Sequence, residues 1–316
     1  MLCVVLCGFL WWLILWTPAA DTACTPANDM RPGLATRLSR HITRLASGIG
    51  PRASGQSGEL EAAASYIEDE FRQQGWSIQR QYTGPEDWHF NVVAGAGSLA
   101  SRDLLVIGAH YDTVPDSPGA DDNASGVAAL LEIARALPRD PRLRLIAFTN
   151  EEAPLGYTEF QGSRVAASSA TTRGETLLGM LSLESIGYYS DRPGSQHRPT
   201  LFGRFFPDRG NFLLMLSDLR SRAFLQRVIA GFRATSTVPA EGISVPSDRI
   251  GHVRRSDHAP WWDHGYPAIL VTDTAQFRNP DYHRASDIIS TVDIERLAGV
   301  TAGLASALQC LLADNE

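Results

Sequence analysis

Four short apolar runs, each leading into side chains that can bind a metal or carry a proton, constrain this chain more than any other feature. LLVIG at 104–108 leads into His110-Tyr111-Asp112, and LRLIAF at 143–148 into Asn150-Glu151-Glu152. Residues 178–183 end at Glu184, and AILV at 268–271 precedes Asp273 and a loop holding Tyr282-His283. Apolar runs separated by helical stretches predict an α/β fold, a mostly parallel central sheet flanked by helices on both faces. In such sheets ligands bind beyond the carboxyl ends of the strands. The candidate chemistry falls at those ends, and this agreement says more than any motif alone.

The rest of the chain is read around that sheet. Leu34, Leu38, Ile42 and Leu45 predict an amphipathic helix over 32–47, and Leu60, Ala64, Ile67 and Phe71 a second over 58–75 with Gly75 as terminator. Strands are expected near 76–82, 88–94 and 212–216, and helices over 220–232 and 291–312. The Pro-, Gly- and Arg-rich stretch 188–211 is too long for a routine connection and predicts an excursion over the mouth of the site. Residues 32–316 are expected to form a single domain. The formal charge of −7 argues against a nucleic-acid partner, which needs a basic face. All 28 cationic side chains are Arg, so Schiff-base chemistry and a lysine-bearing phosphate loop are excluded.

Met1 to Trp16 is an unbroken apolar run, shorter than the roughly 20 residues of a full span. Residues 1–24 are therefore expected to be a signal peptide or membrane anchor, followed by a linker at 25–31, with the protein periplasmic or extracellular. No Arg or Lys precedes the run, and Arg31, Arg37 and Arg40 follow it, which runs against the usual charge asymmetry. Outside the run the cysteines are Cys24 and Cys310, and the spacing leaves open whether they pair. The chain has no C-x-x-C pair for a thiolate zinc site.

His110, Asp122, Glu151, Glu152, Glu184 and His283 are the candidate site. Imidazole and carboxylate without thiolate suit a catalytic zinc or a related divalent ion. Two His and several carboxylates can hold two ions about 3.5–4 Å apart with one carboxylate bridging. Asp122 stands in a tight acidic turn, PGADDNASG at 118–126, that opens a helix running to Ala136. Of the neighbouring Glu151 and Glu152, one can bind metal while the other moves a proton between water and a leaving amine. Singly, a Glu-Glu pair is usually a solvated helix face and an Asp-Asp-Asn turn usually a helix cap; their joint placement favours a metal site. His41, His89, His197, His252 and His264 read as ordinary surface or hydrogen-bonded histidines. His258 is open between a pocket residue and a packed turn, and Trp261, Trp262, Phe205 and Phe206 between a pocket and the core.

At these residues the chain resembles the co-catalytic zinc aminopeptidases of peptidase family twenty-eight. The segments that carry the resemblance are GAHYD at 108–112, PGADDNASG at 118–126, FTNEE at 148–152, SDHAPW at 256–261 and YHRASD at 282–287. The resemblance implies a zinc-exopeptidase, phosphorylase/hydrolase-like fold, two Zn2+ per chain and a peptide substrate. It implies that His110 binds one zinc with Asp112 orienting it, and that Asp122 bridges both ions. Glu151 is then the general base and Glu152 shares the zinc of His110, while His283 binds the second. The family usually has Asp where this chain has Glu184, and the added methylene moves the carboxylate by about 1.5 Å, so the second metal is expected to bind more weakly. Asp257 and Asp287 resemble acidic residues around the family's site.

The leading expectation is an exopeptidase that removes N-terminal residues. Three alternatives remain: a glutaminyl cyclase, which needs one metal; a carboxypeptidase-type zinc enzyme in which Arg254 or Arg255 holds a substrate carboxylate; and a non-catalytic binding protein on the same scaffold. Retention of both His and the acidic turn favours hydrolysis.

Overall fold

The computed structural model describes residues 32–95, 103–197, 207–247 and 251–314. The apolar run, Cys3, Cys7, Cys24, the linker and the Phe205-Phe206 pair lie outside the described residues. Eight strands form one sheet in the order β1-β2-β4-β3-β5-β8-β6-β7. They are β1 Ser77–Tyr82, β2 Phe90–Gly95, β3 Leu104–His110, β4 Leu143–Phe148, β5 Leu177–Glu184, β6 Leu213–Asp218, β7 Ala240–Val245 and β8 Ala268–Thr272.

The inner strands β4, β3, β5 and β8 run parallel to their neighbours within that group, and β6 pairs parallel with β7. The β1/β2, β2/β4 and β6/β8 pairs are antiparallel, so the sheet is mixed and its parallel part is the centre. The four inner strands are the four apolar runs of the sequence. β3 and β4 are buried along their whole length, as expected where helices cover both faces.

Side chains alternate between two cores with the period of two that a strand dictates. Leu105, Ile107, Ala109, Leu145, Ala147, Leu181 and Leu183 point to one core. That layer is closed by α1 (Leu34–Ile42, continuing through Ile49), α2 (Ser57–Gln73), α3 (Gly126–Ala136), α5 (Arg222–Thr235) and α7 (Ile294–Ala313). Val106, Ile146, Phe148 and Met180 point to the other, closed by α4 (Gly162–Thr172) and the short α6 (Ala259–Asp263). Trp261 and Trp262 belong to this second core. α7 is long and apolar enough to cross a membrane, but 61% of its apolar window is buried against the domain, as befits a core helix.

Of the 188–211 excursion, the described parts are held close to the sheet: Ser190 N donates to Gly210 O at 2.8 Å and Tyr188 N to Asp273 Oδ2 at 2.7 Å. Cys310, on α7, is disulfide-bonded.

Candidate metal centre and active site

The parallel arrangement of β3, β4, β5 and β8 brings their carboxyl ends to one edge. His110 closes β3 and Glu184 closes β5. Glu151 and Glu152 follow β4, after Asn150 turns the chain through a left-handed conformation (φ 57°). Asp122 enters from the turn between β3 and α3, and His283 from the loop after β8.

Asp122 stands between two histidine arms. His110 Nε2 is 3.2 Å from Asp122 Oδ1 and 3.2 Å from Glu184 Oε2. His283 Nε2 is 3.0 Å from Asp122 Oδ2 and 3.0 Å from Glu152 Oε1. Glu184 thus stands against His110, and Glu152 against His283. Glu184 and His110 end adjacent parallel strands, whereas Glu152 lies beyond the Asn150 turn that follows β4. Donor atoms of His110, Asp122 and Glu152 also lie within 4.8 Å of one another, so the two arms form one continuous cluster.

The donors fit a divalent ion. His110 Nε2 and both carboxylate oxygens of Asp122 are buried and lack any hydrogen-bond partner, an arrangement that is costly unless something else satisfies them. The contacts at 3.0–3.2 Å bring these atoms together without hydrogen-bond geometry. Burial pushes the Asp122 carboxyl up, but His110 and His283 prevail and hold it below the usual carboxylate range. Burial likewise opposes a charge on either imidazole. The surrounding carboxylates outweigh it, placing His110 well above its ordinary value and His283 at about 10. The cluster thus holds protons that a cation would displace.

Each donor is fixed from behind. His110 Nδ1 donates to Asp112 O at 3.1 Å, which leaves Nε2 to face the cluster. The Asp112 carboxylate accepts from Glu151 N at 3.2 Å and Glu152 N at 3.0 Å, so it orients the Glu pair as well as the imidazole. Asp287 accepts from Asp121 N at 2.9 Å and Asp122 N at 3.1 Å, holding the acidic turn. That turn needs Gly119: its φ is +59°, and a Cβ there would lie 2.3 Å from Asp122 O. Glu184 Oε2 accepts from Ser256 Oγ at 2.8 Å and Oε1 from Ser185 Oγ at 3.1 Å.

Glu151 is buried beside this cluster and takes no part in the histidine contacts. Burial raises its pKa well above that of an ordinary Glu; His110 opposes the shift, and Glu152, Glu184 and Asp257 add to it. Glu152 is raised to about 7, by burial and by Asp122, with His283 opposing. Asp257 is fully buried with both oxygens unpartnered and is raised to about 7 by burial. Asp273 lies away from the histidine arms, where its carboxylate accepts from Tyr188 N and Ala275 N.

His258 is a packed turn residue. Its Nε2 bonds Val253 O at 2.8 Å, its ring meets Trp262 edge-on at 4.5 Å, and burial lowers its pKa to about 4. His41 is buried between Tyr66 and Glu132, His89 bonds Ser54 O, and His264 bonds Thr171. Three features escaped the sequence reading. Tyr282 stacks on His283 with ring centroids 3.9 Å apart. Ser256 anchors Glu184. Arg52, fully buried, donates to the carbonyls of Leu45, Gly50, Tyr111, Pro118 and Gly119. Ser256 was reachable from its place in SDHAPW; nothing in GPRASG marks Arg52.

Comparison with known proteins adds the following. The profile of peptidase family M28 matches residues 91–308. YfbL of Escherichia coli (strain K12), described as an uncharacterized protein, is 33% identical over 312 residues, covering 94% of this chain and 93% of the relative. Aminopeptidase YwaD of Bacillus subtilis (strain 168) is 52% identical over 226 residues, covering 67% of this chain and 43% of its own length. The chain spans about half the length of YwaD and of the Trichophyton leucine aminopeptidases it matches. Among solved structures, the zinc aminopeptidase BSAP of Bacillus subtilis superposes with a TM-score of 0.65 at 15% identity, covering 88% of this chain and 95% of that one. A glutaminyl cyclase of Bacteroides thetaiotaomicron superposes with a TM-score of 0.63 at 17% identity, covering 90% and 99%. At these identities the likeness is one of fold.

Proposed function

The chain belongs to peptidase family M28, and from that premise we propose that it is a zinc-dependent aminopeptidase that releases N-terminal residues from peptides. One observation carries the reading: Asp122 reaches a histidine–carboxylate arm on each side, His110 with Glu184 and His283 with Glu152, while Glu151 stands by unused. The aminopeptidase names among the relatives point the same way.

In this reading His110 and Glu184 would hold one Zn2+ and His283 and Glu152 a second, with Asp122 available to both. When bound, zinc supplies Lewis acidity toward the scissile carbonyl and toward the water that attacks it. Glu151 takes a proton from that water and returns it to the leaving amine; its raised pKa suits both directions of transfer. Asp112 keeps Glu151 and Glu152 in register through their backbone amides. The surplus of carboxylates attracts the free α-ammonium of a peptide.

Glutaminyl cyclases share the fold, but the two complete arms favour hydrolysis. The disulfide at Cys310 supports an exported protein, since such bonds persist in oxidising compartments. The chain's other cysteines are Cys3, Cys7 and Cys24, and we place the partner at Cys24. The N-terminal apolar run then serves either as an export signal or as a membrane tether.

The test is a digest of a defined peptide mixture with mass readout, with and without chelator. Stepwise loss of N-terminal residues from free-amine peptides, none from N-acetylated ones, and none after chelation is expected. C-terminal trimming, or cyclisation of N-terminal Gln without hydrolysis, would overturn the proposal.

A further inference from the structure

The two histidine arms are held in different ways. His110 and Glu184 end β3 and β5 and take their places from a backbone ladder. His283 stands on the loop that follows β8, in a left-handed conformation (φ 61°) that a residue with a side chain keeps only where its surroundings enforce it. Here the surroundings are the acidic turn that carries Asp122. After His283, Arg284 O accepts from Ser117 Oγ at 3.0 Å, and Asp287 O accepts from Ala120 N at 3.2 Å, beside the two amides already on its carboxylate. Ahead of His283, Asn279 Nδ2 donates to Asp121 Oδ2 at 2.8 Å.

Asp121 precedes the shared carboxylate and makes none of the histidine contacts. It is fully buried, and its other oxygen, Oδ1, accepts from Gly187 N at 2.8 Å, just past Glu184. One side chain thus fastens the Asp122 turn to the segment after β5 and to the loop after β8. Asn279 is buried as well, and its Oδ1 accepts from Asp281 N at 2.9 Å, so its amide cannot turn over without losing a bond. Each oxygen of Asp121 meets an N–H that has been withdrawn from water, and losing either acceptor leaves a buried donor unpaired.

We propose that Asp121 is a positioning residue for the metal centre: through Asn279 it holds the His283 loop against the Asp122 turn, and so sets the spacing of His283 and Asp122 before an ion binds. The inference rests on the two-ion reading of the site and adds to it a residue outside the donor set. The His110 arm, built on the sheet, does not depend on this tie.

Exchanging the two partners tests it. In Asp121→Asn a donor faces a donor whichever way the new amide lies, since Asn279 Nδ2 and Gly187 N both point at it. Asn279→Asp sets two buried carboxylates against each other. The double exchange, Asp121→Asn with Asn279→Asp, reverses the bond, leaves acceptors for Gly187 N and Asp281 N, and keeps the net charge. The readout is zinc calorimetry on chelator-stripped protein, with kcat on a free-amine peptide beside it. The wild type should take zinc in two steps, and His283→Ala identifies the step that belongs to its arm. Each single exchange should weaken that step by about tenfold, the order of one buried hydrogen bond, lower kcat, and leave the His110 step unchanged. The double exchange should recover most of both losses. Asn279→Ala, which deletes the tie without adding a charge, should show the same selective loss. Wild-type binding in Asn279→Ala, equal weakening of both steps, or a double exchange that folds or binds no better than the single ones would overturn the inference. A single zinc step in the wild type would strike the two-ion reading and the inference with it. Two steps without peptide hydrolysis would strike the aminopeptidase reading alone.

Discussion

Glu184 Oε2 lies 3.2 Å from His110 Nε2, across the gap between two adjacent parallel strands. The longer side chain, where the family usually carries Asp, is accommodated because Ser256 and Ser185 hold its two oxygens. The two metal positions should therefore separate cleanly by mutation. Glu184→Ala should lose the ion on the His110 side and keep the one on the His283–Glu152 side. Glu184→Asp should keep both with weaker binding, since the carboxylate withdraws by about 1.5 Å from its serine anchors and from His110. Zinc titration of metal-free protein by calorimetry checks this. A single site in the native protein, unchanged in Glu184→Ala, would reject the dinuclear assignment.

Glu151→Gln should lower kcat by about 10²–10⁴-fold, the usual contribution of a general base. Metal content should stay at the wild-type level, because Glu151 makes none of the histidine contacts. Loss of zinc from this variant, measured by metal analysis, would make Glu151 a ligand instead.

What the sequence disclosed and what it hid divide along physical lines. The inner strands were legible because burial on both faces writes a continuous apolar run, and α1, α2 and α7 because each carries an apolar stripe. β7 escaped because AEGISV has neither a run nor a clean alternation, and α4 because GSRVAASSATT is built from small and hydroxylated residues. The donor types were visible at the strand ends. Which carboxylate meets which histidine was not, since that depends on how the chain turns beyond each strand end. Arg52 was invisible because its partners are backbone carbonyls, which leave no trace in side-chain chemistry.

The two backbone amides converging on Asp112 give a further test. An Asn at this position offers one carbonyl oxygen in place of two carboxylate oxygens, so the amide of Glu151 or of Glu152 loses its partner. A buried unpaired donor costs about 1–3 kcal/mol. Asp112→Asn should unfold at lower denaturant and lose turnover beyond that stability change, because the general base shifts with its backbone. Wild-type Tm and kcat in this variant would show that Asp112 does not position the pair.

Burial raises Asp287 to about 7 from an ordinary 3.8. A carboxyl whose folded pKa is raised binds more protons folded than unfolded between those values. Its contribution to stability is complete below about 3.8 and is lost as pH rises through about 7. Between pH 4 and pH 7 this carboxyl should therefore cost the metal-free protein stability, in contrast to the usual carboxylate trend, and Asp287→Asn should remove that share of the slope. Zinc should stabilise more at pH 7.5 than at pH 5.5, since binding expels protons from the donor cluster. Thermal melts across pH, with chelator and with zinc, decide it; an Asp287→Asn protein whose pH dependence in chelator matches that of the wild type would contradict the assignment.

Arg52 links stability to the metal centre. Its guanidinium donates to Tyr111 O at 2.8 Å, just past His110, and to Pro118 O at 2.8 Å and Gly119 O at 3.3 Å, just before the Asp122 turn. It also reaches Leu45 O at 3.0 Å and Gly50 O at 2.8 Å at the end of α1. Burial lowers its pKa only to about 10, with Asp112, Asp287 and Asp122 opposing, so it stays charged at neutral pH. Arg52→Met keeps much of the stem but strips the donors from several buried carbonyls at about 1–3 kcal/mol each, and should fail to fold or melt far below the wild type. Arg52→Lys keeps the charge on a point that cannot spread over so many acceptors. It should fold with a reduced Tm, and its zinc affinity should fall as well, because the loops bearing His110 and Asp122 lose a shared tie. A Lys variant with wild-type Tm and wild-type zinc affinity would show that the charge alone suffices and that the fork of donors does not hold these two ligands in place.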